Sequence, residues 1–220
     1  LRIAVLQQNI ELVGFLLNTG ARVDDLAAHS DETVLFSSVG YRNIELVETL
    51  LSAGANVNFQ SPSGRTPLHE AVLHECVPLE EGKSVVKRLI KAGATLDAVD
   101  TSEDLDDTGQ TALEIAASRG LTELVQLLLD NGASISEGTL AYAAESGNTD
   151  LVLFLLGIRA DVNGCTSTGS TALNEAVLSE KVELVHTLLK AGADCNASFG
   201  PGMTALQQAS YLGSINLVRV

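Results

Sequence analysis

The chain has 220 residues, of which 45% are apolar but only 4% aromatic, with no tryptophan, so its core must be built from Leu, Val, Ile and Ala, which favours packed helices over a sandwich of sheets. Its 28 acidic and 13 basic residues leave a formal charge of -15, which repels phosphate backbones and anionic lipid and excludes nucleic acid and membrane as expected partners. The three cysteines, Cys76, Cys165 and Cys195, form no C-x-x-C pair, which argues against a disulfide framework or a zinc site and for small packing residues in a reducing compartment.

Two markers recur along the chain. A leucine that follows a helix-capping position stands at Leu35, Leu68, Leu113, Leu140, Leu173 and Leu206, with a base spacing of 33 residues. A Gly-Ala pair closes a second helix at Gly20, Gly54, Gly93, Gly132 and Gly192. Together they predict helix-turn-helix units at 1–31 (partial), 32–60, 61–98, 99–135, 136–165, 166–197 and 198–220 (partial), six to seven in one domain over 1–220. One such helix pair cannot bury its own apolar stripe, so the units must stack into a solenoid. Leu1 matches Leu35 in register and Val220 falls within a second helix. Neither end carries a polar capping repeat, so the reading expects a segment of a longer chain.

In the third unit Thr66 is placed to cap a helix, and Pro67 takes the first helical position, where no N–H is needed. Six extra residues then separate Ala71 from Val85, and Pro78 with Gly82 suits a loop between the helices. The fourth unit is entered through six further residues, an acidic finger with Asp100, Glu103, Asp104, Asp106 and Asp107. Its helices are the clearest copy. Thr111 caps the first, Gly120 ends it, and Leu121, Leu124, Val125, Leu127 and Leu128 stripe the second. In the fifth unit six residues are missing and Gly138 takes the capping position. Arg159 stands where other units have glycine, so either a side chain adopts left-handed geometry at a cost of about 1 kcal/mol, or the helix ends earlier, at Gly157.

No residue pattern supports catalysis. Glu81-Gly82-Lys83-Ser84 ends like a phosphate-binding loop, but Val77 replaces the first glycine, and the stretch reads as a polar turn. Asp104, Asp106 and Gly109 match positions of a calcium loop whose closing glutamate is here Ile115, so the finger reads either as solvated or as a contact for a basic partner. His29, His69, His74 and His186 join no nucleophile at a telling spacing. The expectation is no enzyme, no cofactor and no metal. The longest apolar run, Leu151 to Leu156, is too short to span a bilayer, and no leader-like segment opens the chain, which favours a soluble protein of the cytoplasm or nucleus.

Gly64-Arg65-Thr66-Pro67-Leu68-His69-Glu70-Ala71, with the second-helix endings Leu50 to Asn58 and Leu188 to Asn196, resembles the ankyrin repeat family, and the resemblance covers essentially the whole chain. It implies an all-α ankyrin-repeat solenoid with protruding β-hairpin-like fingers. It also implies that His69 bonds structurally toward the neighbouring finger, and that Asn58 and Asn163 resemble targets of ankyrin-type asparagine hydroxylation.

Ankyrin-like stacks bind proteins on a concave face made of first-helix ends and finger tips. By position this resemblance carries partner contact onto Tyr41, Leu73, His74, Arg119, Glu145, Leu178, Tyr211 and Leu212, and onto Pro62, Asp107 and Phe199 at finger tips. Asp104 and Asp106 of the acidic finger join them. The alternative for the apolar members is packing against the adjacent repeat. The resulting reading is a monomeric interaction scaffold for a protein or peptide with a basic patch. Its alternative is a regulatory or ligand-sensing domain of a larger protein with a catalytic or NTPase module outside this segment.

Overall fold

The computed structural model describes residues 1–26, 32–41, 43–74, 79–101, 109–199 and 202–220. They divide into two compact units, Leu1–Ser102 and Glu103–Val220. Unit 1 pairs α1 (Arg2–Leu6) with α2 (Ile10–Asn18), α3 (Val34–Gly40) with α4 (Ile44–Ser52), and α5 (Pro67–Leu73) with α6 (Leu79–Lys91). Unit 2 pairs α7 (Ala112–Ser118) with α8 (Thr122–Asp130), α9 (Thr139–Glu145) with α10 (Thr149–Gly157), and α11 (Ala172–Leu178) with α12 (Val182–Lys190). It continues with a short antiparallel hairpin, β1 (Ser198–Phe199) and β2 (Met203–Thr204), then α13 (Ala205–Tyr211) and α14 (Ile215–Val218). First helices stack in a row within each unit, α1 on α3 on α5 and α7 on α9 on α11 on α13. The result is an all-α solenoid architecture of stacked helix pairs.

The repeating leucine explains the stacking. Leu35, Leu68, Leu113, Leu140 and Leu173 are buried between neighbouring helices, and each second helix adds a stripe such as Leu124, Val125 and Leu128 or Leu151, Val152 and Leu155. Each buried leucine stabilises its interface by roughly 1.5–3 kcal/mol. Helix starts are closed reciprocally. The Thr111 hydroxyl accepts from the Glu114 N–H (3.3 Å) while Glu114 Oε2 accepts from the Thr111 N–H (2.7 Å). Thr171 with Asn174 and Thr204 with Gln207 repeat the exchange. At Thr66 the reciprocal acceptor is His69 Nδ1, 3.1 Å from the Thr66 nitrogen. That bond closes the start of the helix on which this buried ring sits. Three second helices use asparagine: Asn9, Asn43 and Asn148 accept from the N–H of Leu12, Leu46 and Leu151.

Several expectations change. Gly82 and its neighbours lie inside α6, not in a loop, because one glycine among the helix formers Leu79, Glu80, Glu81 and Lys83 costs only about 1 kcal/mol. Arg159 does adopt left-handed backbone, with φ 67. The N–H groups of Arg159 and Ala160 close onto Leu156 and Leu155 as those of Gly192 and Ala193 close onto Leu189 and Leu188. The helix therefore ends at Gly157 as α12 ends at Lys190, two residues before the left-handed one, and no early stop replaces the strain. Cys165 and Cys195 are exposed, since they sit in the segments between helices and not on the faces that stack.

The fingers are hairpin-like. Ser61 and Thr166 donate their N–H to Arg65 and Ser170 carbonyls, each at 2.9 Å, around turns closed by Gly64 and Gly169. Neighbouring fingers meet closely. Thr101 N–H donates to Ser63 O (2.7 Å), and a Cβ at Gly64 would stand 2.9 Å from Thr101 N. Asp100, read from the sequence as part of a solvated acidic run, is only 2% exposed and pairs with Arg65 (Nε to Oδ2 3.4 Å), a residue 35 positions earlier. Asp104, Asp106 and Asp107 lie outside the described residues. In unit 2 the shortened connection before α9 rests directly on the next finger: a Cβ at Gly164 would overlap the carbonyl of Glu137, and one at Gly138 would stand 2.9 Å from Cys165 O.

Candidate interaction surface

The candidate surface read from the sequence follows the ends of the first helices. In unit 1, Tyr41 is the C-cap of α3 and 39% exposed. The residue before it, Gly40, has no side chain, and α5 presents Glu70 and His74 there: a Cβ on Gly40 would lie 3.8 Å from both Glu70 Oε1 and the His74 ring. His74 Nε2 and Glu70 Oε1 are 2.6 Å apart, an i,i+4 pair whose imidazole stays half-exposed. Leu73 is half-buried, and Pro62 is exposed at a finger tip. Tyr41, Glu70 and His74 thus belong to one patch. Glu70 was missed from the sequence, although its four-residue spacing from His74 on a helix was a readable signal.

In unit 2 the equivalent row runs through Arg119, Glu145, Leu178 and Tyr211. Arg119 caps α7 and is half-buried; Glu145 ends α9 and is exposed. Leu178 is 43% exposed, Tyr211 83% and Leu212 40%. The serines beside this row turn inward: Ser146 and Ser179 donate their hydroxyls to Ala143 O (2.7 Å) and Glu175 O (2.9 Å) of their own helices. Phe199 lies in β1 of the last finger. The charge differs between the units, with thirteen acidic and eight basic residues in the first and fifteen and five in the second.

Other candidates take other places. Glu81 to Ser84 falls within α6. Among the described residues no cluster of His, Cys, Asp and Glu could hold a metal ion, and no helix is long and apolar enough to cross a membrane. Asn58 and Asn163 each tie two repeats together. Asn58 Nδ2 donates to Gly93 O (3.0 Å) while its Oδ1 accepts from Thr95 N–H (2.7 Å); Asn163 does the same with Gly192 O and Asp194 N–H.

The family model for ankyrin repeats in three copies matches residues 1–100 and 140–220, and the single ankyrin repeat model matches 108–139. The chain belongs to the ankyrin repeat family. Stacked helix pairs joined by hairpin-like fingers are the architecture of that family. The crystal structure of the human ASB11 ankyrin repeat domain shares the fold with a TM-score of 0.77 at 24% identity, covering 99% of this chain and 94% of that one. The ankyrin repeat domain of Bcl-3, a member of the IκB protein family, superposes with a TM-score of 0.74 at 29% identity over 100% of this chain and 97% of that one. The fowlpox virus ankyrin repeat protein FPV031 is 33% identical over 121 residues, 55% of this chain; the matched stretch is 33% of the viral protein. Ankyrin repeat domains are in general protein–protein interaction modules.

Proposed function

We propose that this ankyrin-repeat chain is a non-enzymatic interaction scaffold, intracellular and monomeric, that binds a protein or peptide bearing a basic patch along its first-helix ends and finger tips. The observation that carries the reading is the row Glu145, Leu178 and Tyr211. These residues occupy the same position of successive stacked helices, and the last two expose large apolar side chains where solvent alone would favour polar ones. The formal charge of -15 supports a basic partner.

The test is to isolate a partner by cross-linking to the chain and to compare Tyr41→Ala and Tyr211→Ala with the parent. Binding should weaken by about tenfold while helicity is kept, and it should weaken further as salt rises. Unchanged, salt-insensitive binding to both variants would sink the reading.

A further inference from the structure

Helix α10 reads TDLVLFLLG and is followed by Ile158, so after its first two residues it carries no polar side chain. A helix that is apolar all round belongs inside a protein or under a partner. Leu151, Val152 and Leu155 are buried, but Leu153 is 50% exposed and Ile158 43%, with Phe154 and Leu156 half-buried beside them. At 3.6 residues per turn these four fall on one outward arc, with the bare Gly157 one turn after Leu153. The other repeats show what that arc needs. Aligned on the buried leucine of each second helix, the place of Leu153 is taken by Gly14, Glu48, Lys87, Gln126 and His186, and that of Ile158 by Thr19, Ala53, Ala92, Asn131 and Ala191. Helix pairs therefore stack without a large apolar side chain at either place, and packing within the chain does not account for this face.

Its surroundings carry charge. Helix α9 stands between α7 and α11 in the first-helix row, so α10 lies between α8 and α12. Asn148 Nδ2 donates to Gly120 O and Thr122 Oγ1 at the start of α8, both at 3.0 Å. The Lys181 stem at the start of α12 stands 3.0 Å from where a Cβ on Gly147 would be. The three helix starts thus lie side by side, and each bears an exposed carboxylate in the same register: Glu123, Asp150 and Glu183. None of the three forms an ion pair among the described residues. At the far end the exposed charges are mixed, Asp130 with Arg159 and Lys190.

We propose that the outward face of α10 is a docking site for an amphipathic helix of a partner protein. Its apolar stripe covers Leu153, Phe154 and Ile158, and its lysines or arginines gather at the end that lies over Glu123, Asp150 and Glu183. The site sits on second helices, away from the first-helix ends, so it goes beyond the scaffold reading and stands without it. A helix is the fitting shape. Strand addition needs unpaired backbone groups, which the middle of a helix does not offer, whereas Gly157 opens the ridge begun by Leu153. A Cβ at Gly157 would meet nothing within 4 Å, which leaves room there for a large side chain of a facing helix. Charge selects among the occupants. A second copy brings the same carboxylates and a formal charge of -15, and an anionic membrane is repelled as well, while a basic helix end is attracted.

The experiment is selection of a phage-displayed library of helical peptides, randomised on one face, against the full chain at an ionic strength of about 0.1 M. The expected binders carry large apolar residues three and four positions apart, with Lys or Arg toward one end. Leu153→Gln with Ile158→Asn installs the side chains that α8 has at the same places, so helicity and thermal midpoint hold while binder affinity falls at least about tenfold. Gly157→Gln fills the gap without removing a contact and lowers affinity by a similar factor. Asp150→Lys with Glu183→Lys weakens binding about fivefold or more, and Tyr211→Ala leaves it unchanged. Recovery of no helix, of binders without basic residues, or of binders that ignore both the double apolar variant and Gly157→Gln overturns the proposal. A lowered midpoint in the double apolar variant, with full binding to Gly157→Gln, assigns the face to packing within the chain and overturns it too. So does binding to phosphatidylcholine and phosphatidylserine vesicles, or concentration-dependent self-association, that the double apolar variant abolishes. Binders lost on Tyr211→Ala and kept by the α10 variants overturn it while leaving the scaffold reading in place.

Discussion

Each unit buries a carboxylate where one finger meets the next, and the two are satisfied in opposite ways. Asp100 in unit 1 is held by the guanidinium of Arg65. Glu114 in unit 2 is 6% exposed and held by neutral donors alone: the Thr111 N–H and hydroxyl on Oε2 (2.7 and 2.9 Å) and the Ser136 hydroxyl on Oε1 (2.5 Å). A buried charge pair depends on both charges, because removing one strands the other, while a carboxylate held by amide and hydroxyl donors can be replaced by any acceptor of similar shape. The chain contains that replacement already. Asn174 and Gln207 take the same helix position as Glu114 and accept from their capping threonines. The junctions also differ in what fills them. The position after the finger glycine is Arg65 at the ion pair, and Ser170 in the sixth unit, where the buried hydroxyl has no hydrogen-bond partner.

Gly164→Ala puts the strongest strain on this contrast. A Cβ there overlaps the Glu137 carbonyl, backbone against backbone, so a loss of about 3 kcal/mol is expected from denaturant melts of unit 2, with hydrogen exchange rising first around residues 133–139. A loss below about 1 kcal/mol would show that the short connection can lift off the next finger. Asp100→Asn keeps the shape but removes the charge that faces the Arg65 guanidinium, whose side chain is 23% exposed, so about 2 kcal/mol should be lost from unit 1. Glu114→Gln should cost less than about 1 kcal/mol, and a larger loss than Asp100→Asn would reverse the comparison. Ser170→Ala removes an unsatisfied hydroxyl and should change the denaturation midpoint least, within about 0.5 kcal/mol and toward higher stability. Each midpoint is read with a probe within its own unit.

The helical framework was readable because it is local. Thr111 caps, Gly120 and Gly132 stop their helices, and every one of these roles depends on residues within a few positions. The site was legible only as a set of positions. Tyr41, Leu178, Tyr211 and Leu212 could be placed at first-helix ends by register, but their exposure, and the Glu70–His74 pair next to Gly40, depended on which neighbouring side chains turn away. Asp100 shows the limit most clearly. It looked like one more member of an acidic run, and only contact with Arg65 on the preceding finger distinguishes it from its neighbours.

The sequence alone determined the period, the helix starts and stops, the leucine seam and the net negative charge, since each follows from residue type and spacing along one chain. Tertiary structure alone decided which carboxylates are buried and with what partner, that Gly138 and Gly164 close the gap left by the missing finger residues, and that Cys165 and Cys195 face solvent. The physical reason is that burial is a property of two surfaces meeting. Contacts between successive repeats join residues some 30 positions apart, and which atoms come together there is set by how the fingers and helix ends stack.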